Sequence, residues 1–167
     1  AGRQIYEFFW SEFADWYIEI AKLQLRQGGD KAYYTAQTLA RILDISLRLL
    51  HPFTPFVTEE LWGHLKQAAI YHGSLYKPQG GWPEALIIAP WPSAQPPEGW
   101  EKEKIASFLL IQEIIRAIRN ARSEKGIPLN QAIPASLVSA RYFDLLTEQA
   151  DVISRLANLD AGHLEIK

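Results

Sequence analysis

Cysteine and methionine are both missing from the 167 residues. Without cysteine there is no disulfide framework, no thiolate nucleophile and no cysteine-ligated zinc site. That absence suits a reducing compartment. With no methionine, and with Ala1-Gly2-Arg3-Gln4 at its start, the chain reads as a cut piece of something longer. Long apolar runs are missing too. The stretch from Ile5 to Ile20 is interrupted by Glu7, Glu12 and Asp15, so it is neither a secretory leader nor a membrane span. A basic excess is also missing: 17 lysines and arginines face 19 acidic residues, for a net charge of −2, whereas a domain that grips nucleic acid non-specifically is usually basic. An RNA partner would have to be held locally. Histidines are few, and His51, His64, His72 and His163 form no i, i+4 metal pair. HExxH, CxxC, GxGxxG, Walker and GxSxG patterns are absent, so neither a catalytic constellation nor a metal site is signalled.

What is present is a globular composition, 48% hydrophobic and 22% charged, with helical periodicity. Residues 4–26 predict a long helix whose stripe is Ile5, Phe9, Phe13, Trp16, Ile20 and Leu23, widened by Tyr6, Trp10 and Tyr17. So broad an apolar face suits a helix with two neighbours. Gly28 and Gly29 mark a turn. Residues 31–50 predict a second helix, with Leu39, Ile42, Leu43, Leu47 and Leu50 inward and Arg41, Asp44 and Arg48 outward.

The stretch from Leu49 to Trp62 is the corner around which these helices are arranged. Pro52 stops one helix and Pro55 can open the next, because an N1 residue needs no N–H partner. Thr54 is placed to cap, Glu59 and Glu60 suit the positive end of the dipole, and Phe53 and Phe56 are available to pin the corner into a core. The third helix runs from about 55 to 69. Residues 71–99 are proline-rich and irregular, with Ala85-Leu86-Ile87-Ile88-Ala89 readable as one short strand. Residues 100–124 predict a fourth helix, with Leu110, Ile111, Ile114, Ala117, Ile118 and Ala121 buried; Gly126 and Pro128 stop it. A strand at 135–139, a helix from Tyr142 to Leu156 and a strand at 163–167 make a small parallel unit. The expected fold is therefore mainly α: an antiparallel helical bundle over residues 1–127, including the irregular connection, and a small α/β appendage over 128–167.

Two patterns carry interaction chemistry. Arg116, Arg119, Asn120 and Arg122 lie along one side of the fourth helix and can hold phosphates, although cations are favoured near a helix C-terminus anyway. Aromatic side chains can stack unpaired bases; most in the first helix share its core stripe, and Trp10 lies off it. Glu59 and Glu60 point about 100° apart on a helix and read as first-turn acids rather than an acid/base pair.

Three segments resemble the C-terminal part of the bacterial valyl-tRNA synthetase family: Phe8 to Glu19, Leu47 to Trp62, and Ile115 to Arg122. Ala89-Pro90-Trp91-Pro92 and Ile153 to Ala157 are similar to that family as well. The order and spacing of the pieces carry the resemblance along nearly the whole chain, and His51-Pro52-Phe53 and Ile118-Arg119-Asn120 look like the valyl branch. The resemblance implies an anticodon-binding helical domain of a class I aminoacyl-tRNA synthetase. The parent enzyme would use ATP and Mg²⁺ to activate valine and would charge valine tRNA. It implies tRNA as partner, neither DNA nor a membrane, a monomer, and a cytoplasmic setting. Nothing here resembles the family's HIGH or KMSKS motifs, so no catalytic residue, metal ligand or cofactor site is expected in this stretch. The family's earlier helix and its C-terminal coiled-coil arm are not matched.

The resemblance assigns no anticodon-reading residue. Physical reasoning nominates Phe9 or Trp10 for base stacking, Trp62 and Lys66 on the third helix, and Arg116, Arg119, Asn120 and Arg122 for phosphate contacts. The rival reading is a helical protein–protein interaction module. Its mark would be an exposed apolar patch on the third helix or the 71–99 connection.

Overall fold

Gly28 separates the first two helices by adopting φ 73° and ψ −166°, a region essentially closed to residues with a Cβ. A helix cannot continue through that geometry, so the chain folds back on itself there. Gly28→Ala meets open space, yet it is expected to lower stability by about 1–3 kcal/mol from backbone strain alone. Chemical denaturation checks this, and an unchanged midpoint would show that the turn relaxes at no cost.

The computed structural model describes residues 2–72, 76–78, 80–128 and 130–167. Ala1, parts of the 71–99 connection and Leu129 lie outside them. The chain forms two compact units, 1–95 and 96–167.

In the first unit, segments Gly2–Glu7, Phe8–Ile18 and Glu19–Gln27 follow one another as a single helix, α1. Its middle is wound as a π-helix, with hydrogen bonds reaching five residues back. That winding aligns residues four and five apart: Phe13 stacks with Phe8 and Tyr17 and meets Phe9 edge-on. Phe13, Trp16 and Ile20 are buried as the stripe predicts. Tyr6, expected to widen the buried face, is instead exposed at 63%, and Trp10, which flanks the stripe without belonging to it, is exposed at 64%.

Helix α2 (Gly29–Leu50) packs on α1 and on α3 (Pro55–Tyr71). The corner between α2 and α3 forms at Pro52 and Pro55, but its pins differ from expectation. Phe53 and Phe56 are exposed. The Thr54 hydroxyl turns back to the Leu50 carbonyl at 3.4 Å and caps nothing in α3. Thr58, one turn in, does the inner work: its hydroxyl lies 2.8 Å from the Thr54 carbonyl and 2.8 Å from His51 Nδ1.

The connection after α3 does not form the expected strand. Leu86–Ile88 is a 3₁₀ turn, because the Leu86 N–H donates to the Glu59 carboxylate at 2.7 Å rather than to a ladder. Leu86 then joins Leu47 and Trp62 in the core, with Leu43, Leu65, Trp82 and Ala89 around them. The connection is thus a strap laid over α2 and α3 and fastened by side chains.

In the second unit, α4 (Glu101–Glu124) ends in a Schellman arrangement. Gly126 takes φ 63°, its N–H bonds to Ser123 O, and the Ile127 N–H bonds to Arg122 O, each at 3.0 Å. Strand β1 (Ile133–Leu137) pairs in parallel with β2 (Leu159–Ile166), with a register shift between Ile133 and Ala135. Between them lie α5 (Phe143–Glu148) and α6 (Ala150–Ala157), two short helices interrupted at Gln149 where one was expected. Ile111 and Ile115 of α4 and Ile153, Leu156 and Leu159 are buried in this unit, whose α4 packs on α6. Compactness therefore divides the chain at 95/96, whereas the sequence-based boundary at 127/128 grouped α4 with the first three helices. The buried side of α4 also differs: Gln112 and Arg122 are buried, while Ala117 and Ala121 are exposed. The architecture is mainly helical with a small parallel sheet near its C-terminal end, as the sequence predicts.

Candidate nucleic-acid interface

The strongest polar structure in the first unit joins residues the sequence placed on opposite sides. Asp44 and Arg48, expected to face outward, are 2% and 6% exposed. Spaced i, i+4 on α2, they pair through Arg48 Nε and Asp44 Oδ1 at 2.9 Å. The same Oδ1 accepts the Trp62 indole N–H at 2.8 Å, and Oδ2 accepts the Tyr76 hydroxyl at 3.0 Å. Arg48 Nη1 donates to the Pro90 carbonyl at 2.9 Å. The buried Asp44–Arg48 pair therefore ties α2 to α3 and to the strap at two points, Tyr76 and Pro90. Burial first, and then the Asp44 charge, push the Tyr76 phenol well above its ordinary range. Arg48 Nη2 is buried without a hydrogen-bond partner among the described residues.

The nominated residues take different places. Trp62 is 1% exposed and offers no face to a base; its ring packs on Trp82 at 5.3 Å. Lys66 sends its ammonium to the Pro83 carbonyl at 2.9 Å, near the Trp62 ring, so it is another fastener of the strap. Phe9 is half-buried in the α1 aromatic cluster. Trp10 is exposed and lies parallel to Tyr6, with ring centroids 6.3 Å apart and planes 3° apart.

On α4, Arg116 and Asn120 are exposed. Arg119 is exposed but donates Nε to the Leu156 carbonyl at 2.8 Å. Arg122 is 4% exposed and donates to three carbonyls: Asn158 at 3.0 Å, Pro128 at 3.0 Å and Gln131 at 2.7 Å. Its position near a helix end gave no sign of this, since two of the carbonyls come from the irregular turn just after α4 and the third from the entry to β2. Among the described residues no cluster of acidic and histidine side chains could hold a metal ion, and no helix is long and apolar enough to cross a membrane.

The family described as the anticodon-binding domain of tRNA ligase matches residues 1–137. The chain belongs to that family. This anticodon-binding domain is similar to the chloroplastic/mitochondrial valine–tRNA ligase 2 of Arabidopsis thaliana, with 40% identity over 166 residues, covering 98% of this chain and 15% of that protein. It is similar to the valine–tRNA ligase of Bacillus licheniformis, at 39% over 160 residues, 94% of this chain and 16% of that protein. It is also similar to the Bacillus subtilis valine–tRNA ligase, at 41% over 133 residues, 79% of this chain and 13% of that protein. The anticodon-binding domain thus spans about one-seventh of the length of these relatives.

Proposed function

We propose that this chain is the anticodon-binding part of a valine–tRNA ligase. The observation that carries the proposal is 40% identity to such a ligase across 98% of the chain. The enzyme that contains it activates valine with ATP and Mg²⁺ and attaches it to valine tRNA, acting as a cytoplasmic monomer; this stretch contributes tRNA binding and no catalytic group. The parallel Tyr6–Trp10 pair supports a stacking platform for an unpaired base, since both rings are exposed. Arg116 and Asn120 supply exposed polar groups for the RNA backbone.

The test titrates the full-length protein with valine tRNA and a non-cognate tRNA at two salt concentrations. Tighter, salt-sensitive binding of valine tRNA is expected, and Trp10→Ala is expected to weaken it by about 1–3 kcal/mol if one base stacks there. Equal affinity for both tRNAs would remove the valine assignment, and an unchanged Trp10→Ala affinity would remove the platform.

A second reading rests on the apolar patch that marks an interaction module. Phe56 is 92% exposed, with Val57 and Leu61 also exposed on α3. We infer that a further segment of the longer ligase covers this face, so that both readings coexist. A full-length protein that bound no tRNA would leave the interaction reading alone.

A further inference from the structure

The strap and α2 enclose an open cleft of about 1140 Å³, above the usual range of small-molecule pockets, about 300–1,000 Å³. Its charge runs against that of the chain. Arg41, Arg48 and Lys77 line it, and Asp44 is the one carboxylate among the described lining residues. Asp44 is already committed to Arg48, Trp62 and Tyr76. Two positive charges, Arg41 and Lys77, are therefore left uncompensated by the lining, and both side chains are exposed. In a protein of net charge −2 this is a local positive site, and charge of one sign gathered in a cleft focuses the field on an oppositely charged ligand. Arg48 also has a buried donor, Nη2, that no described group satisfies.

Beside these cations stands an aromatic face. Trp91 follows Pro90, whose carbonyl is held by Arg48, and Trp91 is 63% exposed on the cleft wall. An indole fixed beside two cations is the combination that holds a nucleotide, with phosphate on the cations and base on the ring. An acidic peptide would satisfy the cations and leave the indole unused. A small anion would not need the width.

We propose that the cleft between α2 and the strap is an RNA-contact site of this domain, in which Arg41 and Lys77 hold phosphodiester groups and Trp91 stacks on an unpaired base. This rests on the tRNA-binding reading above and names a place for it that the sequence analysis did not nominate.

The test uses the full-length protein and valine tRNA. Arg41→Gln combined with Lys77→Gln changes only exposed side chains and leaves the Asp44 network in place. It is expected to reduce the slope of log affinity against log salt by about 1.5, from two lost phosphate contacts. Trp91→Ala is expected to weaken binding by roughly 5- to 150-fold with little change in that slope, and Trp91→Phe to restore most of it. If wild-type protein binds valine tRNA while the double variant keeps both affinity and slope, the cleft assignment is overturned and the tRNA-binding reading stands. If wild-type protein does not bind tRNA, both fall. Loss of affinity in Trp91→Ala that Trp91→Phe does not restore also overturns the stacking role.

Discussion

Asp44→Ala is expected to destabilise the first unit by about 3–5 kcal/mol, because it strands the Arg48 guanidinium in a buried site without its counter-charge. It also removes the acceptor of the Trp62 indole and the Tyr76 hydroxyl, and a buried donor left unpaired costs about 1–3 kcal/mol. These costs overlap and do not simply add. The pairing itself is not what makes the site stable relative to an apolar core, since burying both charges is expensive. Replacing both members, Asp44→Leu with Arg48→Met, is therefore expected to recover a substantial part of the loss. Denaturant unfolding of the two variants checks this. A loss below about 1 kcal/mol for Asp44→Ala would mean that water reaches the site and replaces the carboxylate.

The same network makes alkaline stability testable. Tyr76 titrates above its ordinary value in the folded protein, through burial first and then the Asp44 charge. The folded state therefore keeps the phenolic proton over a pH range in which the unfolded chain has lost it. Stability from this source is complete below the ordinary tyrosine pKa of about 10 and falls as pH rises above it. Tyr76→Phe should flatten that alkaline decline while losing the strap's hydrogen bond at neutral pH.

Arg122→Ala is expected to cost the second unit about 3 kcal/mol or more, since hydrogen bonds from a charged donor contribute about 1.5–3 kcal/mol and three carbonyl partners lose theirs. The three partners lie after α4 and at the entry to β2, so one planar guanidinium holds together the end of the helix, the following turn and the sheet. Arg122→Lys should rescue little, because a lysine ammonium cannot reproduce the flat fork that reaches three oxygens. Thermal or denaturant unfolding of the two variants decides this; a lysine variant as stable as the parent would show that charge, not geometry, is the requirement. This bears on function as well. An alanine block across Arg116, Arg119, Asn120 and Arg122 would lose tRNA binding through unfolding, so α4 contacts are better tested at Arg116 and Asn120.

Local chemistry was legible along the chain. Gly28, Pro52, Pro55 and Gly126 act on their own backbone, through φ, missing N–H groups and left-handed caps, and each ends or begins a helix where the sequence says it should. Phe13, Trp16 and Ile20 are buried because their spacing puts them on one side of a helix, and that holds even through the π-wound middle of α1. The small parallel unit was readable from two short apolar runs separated by a helical one. The family was readable as well, because it depends on the order of short motifs rather than on their environment.

The tertiary structure alone decided where charge goes. Asp44 and Arg48 carry every local mark of an outer helix face, and they are buried because a strap closes over them, reaching Asp44 from 32 residues further on and Arg48 from 42. Trp62 and Lys66 looked available to RNA until Trp82 and the Pro83 carbonyl arrived from the same strap. Arg122 looked like a solvated helix end until three carbonyls from later turns converged on it. In each case the deciding partner lies beyond the reach of helical periodicity, 6 and 9 residues on for two of the Arg122 carbonyls and 17 or more for the others. A periodicity argument sums what neighbours three and four residues apart do; the environment of a side chain is set by whatever the rest of the chain lays over it. Local chemistry set the long helices, their glycine and proline breaks and the family resemblance, while long-range packing placed the break at Gln149, turned Leu86–Ile88 into a 3₁₀ turn and selected which polar groups became structure and which were left facing solvent.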